Sequence, residues 1–250
     1  MVRFRNRAAD ALRPFSMTRR FQHGPAGSVL MTMGNTKVIC AASVEERVPF
    51  FLRGTGRGWI TAEYSLLPSA TAERTPREAV RGRQNGRTHE IERLIGRALR
   101  SVVDLEALGA RTIHIDCDVI EADGGTRTAS VTGAFLALVE ACATFFSRGK
   151  DQKFPVKDFL AAVSVGIGET GEPLLDLCYA EDAAAIVDMN IAMTAAGGFV
   201  DLQGTGEGRP YTREELDRLL TLGEKGIREL IAAQKEALGM DLCWLVGRVG

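Results

Sequence analysis

Strand-like runs followed by a long apolar helix, and then the same succession again, predict an α+β fold of two packed βα lobes. Three observations carry that expectation. Alternating runs rich in valine, isoleucine and threonine occupy 28–43, 58–68 and 112–121, and return over 161–204. A helical period of about 3.6 residues governs 88–103, 131–142 and 216–231. Between the two successions lies SRGKDQK (147–153), a polar stretch with neither period, which marks the midpoint. The expected division is therefore one domain over 1–238, with lobes of about 1–150 and 151–238, and a tail over 239–250.

In the first lobe, SVLMTMG (28–34) and TKVICAAS (36–43) flank Gly34-Asn35, a hairpin signal. GWITAEYSLLP (58–68) reads as a strand stopped by Pro68. Apolar side chains at 91, 94, 95, 98, 99 and 102 make 88–103 an amphipathic helix. RTIHIDCDVIEAD then alternates, with Ile113, Ile115, Cys117 and Val119 on one face and Thr112, His114, Asp116 and Asp118 on the other. Asp116 and Asp118 read as a solvent or interface face. EADGGTRTASVTGAFLALVEAC (121–142) opens on a glycine pair and continues as a core helix, apolar at 131, 134, 135, 138, 139 and 142.

In the second lobe, AAVSVGIG (161–168) and PLLDLCYA (173–180) flank a Glu-Thr-Gly-Glu turn, and AIVDMNIAM (185–193) and GFVDLQG (198–204) form a second pair around Gly197-Gly198. Thr212 and Glu215 have the spacing of a capping box, opening a helix that runs to about 237. The segment DLQGTGEGRP (201–210) lacks the Lys-Ser/Thr of a phosphate-binding loop and reads as a structural turn.

Composition sets bounds. The chain has 250 residues, 45% hydrophobic and 25% charged, enough for a substantial core. A net charge of -1 points to no polyanion by itself. There is no uninterrupted apolar run of about 18 residues, so no membrane partner is expected. The basic start MVRFRNRAADALRP lacks the apolar stretch of a signal peptide. Five cysteines without a C-x-x-C read as buried thiols of a reducing, cytoplasmic compartment. Three scattered histidines give no basis for zinc or for a nucleophilic triad.

Three constellations carry candidate chemistry. Gly124-Gly125-Thr126-Arg127-Thr128 sits at a helix start, where free N–H groups and partial positive charge suit an anion and an arginine fork matches phosphate oxygens. The structural alternative is a glycine turn with Thr126 or Thr128 as N-cap. Next, Arg74, Arg77, Arg81, Arg83, Arg87, Arg93, Arg97 and Arg100 form a run without lysine. Arginine alone favours bidentate phosphate recognition, and a basic patch suits a nucleic-acid backbone. The alternative is a solvated or interface face for Arg93, Arg97 and Arg100. Finally, Asp188 and Asn190 share one side of an otherwise apolar strand, and Asp182 lies just before it at a short helical turn. A carboxylate pair can hold a hard divalent cation or supply a general acid. The alternative is a capping Asp182 and a structurally paired Asp188.

Taken together, ADGGTRTASVTGA, GRTHEIERLIGRALR, GWITAEYSLLP and VDMNIAM resemble the ribonuclease PH family, over about 13–237. The resemblance implies the ribonuclease PH fold, a homohexamer built as a trimer of dimers, and trimming of the 3′ ends of tRNA precursors and other RNAs. Inorganic phosphate is the co-substrate and nucleoside diphosphates are the products. It places phosphate on Arg87, Gly125, Thr126 and Arg127, and catalysis on Arg127, Asp182 and Asp188. It places magnesium or manganese on Asp182 and Asp188, and RNA on Arg74 and Arg77. The chain departs from the family after the proline of its LLP motif, where Ser69 stands in place of the usual arginine. Two alternatives remain: a non-catalytic RNA-threading ring subunit of an exosome-like assembly, and a phosphate enzyme acting on small molecules.

Overall fold

The computed structural model describes residues 3, 6–146 and 153–248. Most of the expected midpoint, 147–152, therefore lies outside the described residues. The first lobe holds β1 (Phe15–Arg19), β2 (Gly27–Met33), β3 (Thr36–Glu45), β4 (Trp59–Leu66) and β5 (Thr112–Glu121) in one sheet of order β1-β2-β3-β5-β4. Neighbours are antiparallel except β4 and β5, which run parallel. A parallel pair needs a crossover. It is supplied by the short α1 (Glu78–Arg81) and by α2 (Gly86–Ser101), whose N-cap Asn85 accepts from the Thr88 N–H at 2.8 Å. The second lobe holds β6 (Leu160–Ile167), β7 (Pro173–Leu175), β8 (Val187–Thr194) and β9 (Phe199–Gly206) in an antiparallel sheet of order β7-β6-β8-β9. The short α4 (Tyr179–Ala183) leads into β8.

Between the lobes runs α3 (Thr126–Phe145), a helix of 20 residues. It packs on β2 and β3 with one side and on β6 and β8 with another. Thr126 and every residue over 128–142 are buried. Its composition would let it cross a membrane, but here protein covers it on all sides. The polar groups taken inside are satisfied. Ser130 donates to Thr126 O, Thr132 donates to Ala162 O, and Glu140 accepts from Arg19 and from the Ser28 N–H.

The helix–sheet contact is close at Gly133. A Cβ on Gly133 would lie 2.8 Å from Cys40 Sγ and 2.9 Å from Met31 Cβ. Behind the second sheet, α5 (Arg213–Leu242) opens with the Thr212–Glu215 capping box read from the sequence. It is broken at Gly239, where φ is 63°. Arg19 donates to the carbonyls of Ala237 and Leu238 just before the break, and Leu245 beyond it is buried.

Two expectations differ from the structure. The strand expected over 173–180 ends at Leu175, because Asp176 takes a left-handed φ of 56° and turns the chain into α4. The segment 201–210 is a strand as far as Gly206 and a turn only afterwards. Gly133→Ala should lower unfolding free energy by about 1–3 kcal/mol in urea titration, since overpacking there displaces β2 and β3.

Candidate active site at the joint of the lobes

The loop after β5 carries two left-handed glycines in succession, Gly124 at φ 77° and Gly125 at φ 65°. Gly124 is also pressed against the second lobe. A Cβ there would lie 2.6 Å from Cys178 C and from Tyr179 N, so only glycine fits. Gly125 is the N-cap of α3 and offers no side chain to the helix. Neither Thr126 nor Thr128 caps it, so the first-turn N–H groups of α3 remain available to an anion. Thr126 Oγ1 accepts the Tyr64 hydroxyl at 2.8 Å, whereas Thr128 Oγ1 donates to Gly125 O at 2.9 Å. The Thr128 hydroxyl hydrogen is thus spent within the loop and does not serve a ligand.

Arg127 leans from the first turn of α3 towards β9, and Nη1 donates to Gln203 Oε1 at 2.8 Å. Glu90 Oε1 is its second, longer partner at 3.5 Å. Gln203 stands opposite Asn190 across the β8–β9 ladder, and Thr205 stands opposite Asp188. Side chains alternate along a strand, so Asp188 and Asn190 share a face with Gln203 and Thr205. Arg87, in the first turn of α2, is exposed. Asp182 is exposed on α4 at the mouth of the site, and Asp188 is half-buried on β8.

The charges of these groups meet. Although Asp182 is exposed at the mouth, protein packed around its carboxyl desolvates it and raises it above its ordinary range, against the opposing pull of Arg87, Arg127 and Arg13. Partial burial also raises Asp188, helped by the negative charges of Asp182 and Glu207. Tyr64 is pushed up by burial, opposed by its bond to Thr126 and by Arg87 and Arg127. Two arginines, the bare start of α3 and two mutually repelling carboxylates therefore share one site. Among the described residues neither Asp182 nor Asp188 has an ion-pair partner, and no cluster of three or more His, Cys, Asp or Glu side chains is placed to hold a metal. Two carboxylates with water and phosphate oxygens are nonetheless a donor set that suits Mg²⁺.

Other candidates lie apart from this cluster. Arg74 is exposed on the segment before α1. Arg77 lines a hollow with Glu63, Asp116 and Asp118. Burial raises Asp118 there, while Arg77 lowers it. Arg97 pairs with Asp201 at 3.4 Å, and Arg100 stacks on Trp59 while donating to Ile60 O. Those last two are structural arginines. Sequence reasoning missed Gln203 and Glu207, which lie in the segment taken for a turn. The strand period of FVDLQG was the available signal. It also missed Tyr64, Arg13 and Asp176, which come together only through the fold.

Models of the 3′ exoribonuclease family match twice, domain 1 over residues 11–143 and domain 2 over residues 158–226. The chain belongs to the 3′ exoribonuclease family. It is 61% identical to ribonuclease PH of Bacillus subtilis over 241 residues, covering 96% of this chain and 98% of that one. It is also 61% identical to ribonuclease PH of Listeria innocua over 238 residues, covering 95% and 96%. Among solved structures it resembles an Archaeoglobus fulgidus exosome with RNA bound to the active site, with a TM-score of 0.76, 24% identity and 91% of each chain covered. It likewise resembles an archaeal exosome core, with a TM-score of 0.72, 22% identity and 92% and 89% covered. At those identities the likeness concerns the ribonuclease PH fold.

The raised carboxyls have a consequence for stability. A raised carboxyl pKa means the folded protein holds the proton more tightly than the unfolded chain. The stability contributed by Asp188 is therefore fully present below the unfolded value of about 4 and is lost as pH rises through the folded value. Metal-free Asp188→Asn should melt about 2 °C above the parent near neutral pH. Thermal melts down the pH scale should show that difference closing as Asp188 protonates.

Proposed function

We infer that the protein is a phosphorolytic 3′-exoribonuclease, a nucleotidyltransferase that shortens RNA from its 3′ end using inorganic phosphate. The observation that carries the reading is the unshielded start of α3, with Arg127 held beside it and the Asp182/Asp188 pair within its field. The relatives that are about three-fifths identical over nearly the whole chain bear the ribonuclease PH name.

In this reading the nucleophile is the phosphate itself, and the residues supply position and charge. The backbone N–H groups of Gly125, Thr126 and Arg127 receive the dianion, and the guanidinium groups of Arg87 and Arg127 close on its oxygens. These positive charges offset the repulsion between phosphate and the RNA backbone. A phosphate oxygen bonds to the phosphorus of the terminal phosphodiester. The bond from that phosphorus to the 3′ oxygen of the preceding nucleotide breaks, that oxygen takes a proton, and a nucleoside diphosphate leaves. Asp182 and Asp188 would hold Mg²⁺ or Mn²⁺, whose charge would stabilise the developing negative charge. A protonated aspartate of the pair is the alternative source of the leaving group's proton, and their raised carboxyl range suits that role.

The physiological extension of this reading is trimming of tRNA precursors in the cytoplasm by a homohexamer, a trimer of dimers. Arg74 and Arg77 would guide the RNA backbone towards the site. The test is product analysis on a tRNA with a short 3′ extension and Mg²⁺, with and without phosphate. Nucleoside diphosphates should appear only with phosphate. Monophosphates without phosphate would make water the nucleophile. No product at all would favour a non-catalytic ring subunit. Arg127→Ala should lower phosphate-dependent turnover by at least about a hundredfold while leaving the oligomer intact on size-exclusion chromatography.

A further inference from the structure

Arg13 is among the most deeply buried side chains of the molecule, 1% exposed, and it lies behind the cradle loop, out of reach of any ligand. Its fork grips Asp176, which is equally buried: Nη2 donates to Oδ1 at 2.7 Å, Nε to Oδ2 at 3.0 Å, and its own backbone N–H to Oδ2 at 2.7 Å. Desolvating such a pair is costly and by itself secures little stability over an apolar pair of the same volume. The remaining donors show what the arginine adds. Nη1 donates to Asp123 O at 2.5 Å and Nη2 approaches Gly124 O at 3.4 Å.

A trans peptide points its carbonyl and the following N–H in opposite directions. Holding the Asp123 carbonyl towards Arg13 turns the Gly124 N–H away from it. Holding the Gly124 carbonyl inward, where Thr36 Oγ1 also donates at 2.7 Å, turns the Gly125 N–H away as well. Asp176, on the other side of the joint, precedes the α4 turn that carries Asp182. We infer that Arg13, clamped by Asp176, is a positioning residue for phosphate. With Thr36 it fixes the two peptide planes that lead into the start of α3, the second of which aims the Gly125 N–H of the cradle, and it fixes the cradle's distance from Asp182. This rests on the reading of Gly125–Arg127 as the phosphate site.

Arg13→Met alone would strand Asp176 as a buried, unpaired charge, so the informative variant is the double Arg13→Met/Asp176→Leu, which removes both charges. Arg13→Lys keeps the charge and loses the fork. The comparison variant is Arg19→Met/Glu140→Leu, which removes another shielded pair joined at 2.6 Å, from the C-terminal half of α3, about 20 Å along the helix. Turnover is measured on RNA against inorganic phosphate concentration, and phosphate-induced protection is measured in thermal melts. The expected result is a KM for phosphate raised on the order of tenfold to a hundredfold in the Arg13 double variant, with kcat changed far less and phosphate protection lost. Arg13→Lys should fall between it and the parent, and the Arg19 variant should keep the parent KM. An unchanged phosphate KM in both Arg13 variants would overturn the inference, as would an equal rise in the Arg19 variant. Arg127→Ala measured alongside separates the two readings. If it raises the phosphate KM while the Arg13 variants do not, the positioning role alone fails; if it does not, the cradle itself is wrongly placed.

Discussion

The fold turns on one constraint: α3 is apolar on all sides and must be covered on all sides. A helix with one apolar stripe needs one sheet, but α3 needs two, and β2–β3 and β6–β8 are the two surfaces that meet it. Its ends are then the only parts that can reach water. Towards the C-terminal end the Arg19–Glu140 pair ties α3 to the end of α5. The N-terminal end stays open at the seam of the two lobes, where the positive end of the helix dipole faces α4 and β8. Burial thus leaves the positive end of the helix at the seam before any functional side chain is considered.

The side chains then arrange charge around that opening. Arg127 comes from α3, Arg87 from α2, and Asp182 and Asp188 from the second lobe, so neither lobe holds a complete site. Attack of one phosphate on another requires positive charge on both and a nearby group able to bear or deliver a proton at the leaving oxygen. In the proposed reading the arginines and free amides serve the first need, and the carboxylates, alone or with a cation, serve the second. Gln203 connects the two sets. By accepting from Arg127 it holds the guanidinium along the same sheet face that presents Asp188.

Most of this was legible in the sequence, for reasons of range. Periodicity is local, so β2 to β6, β8, α2, α3 and α5 were readable, as were the Thr212–Glu215 box and the glycine pair. The five residues of β1 were not, because Phe15 and Met17 are only half-buried and the strand is too short to show a period. The end of β7 was not, because what stops it is Asp176, held by an arginine 163 positions away. The same limit applies to the site. Arg127, Asp182 and Asp188 announce themselves by residue type and spacing. Gln203 and Arg13 acquire their meaning only from partners distant in the chain. Sequence cannot say which way a helix-start hydroxyl turns, and that of Thr128 turns back to Gly125 O.

The site also departs from local rules that α2 and α5 obey. Helix α5 has a full capping box and α2 has Asn85, while α3 begins without a cap. Two consecutive residues adopt left-handed backbone, and two carboxylates repel each other without ion-pair partners among the described residues. Each departure costs stability, and each is bordered by a compensating contact. Arg13 and Thr36 hold the carbonyls of the glycine loop. Arg3 and Arg7 both grip Glu181, the residue beside Asp182, at 2.9 and 2.7 Å, so α4 is fixed by a neighbour that takes no part in the chemistry. Unsatisfied donors at the open face with satisfied groups just behind it are what a preorganised anion site requires. The donors must be empty yet unable to turn away.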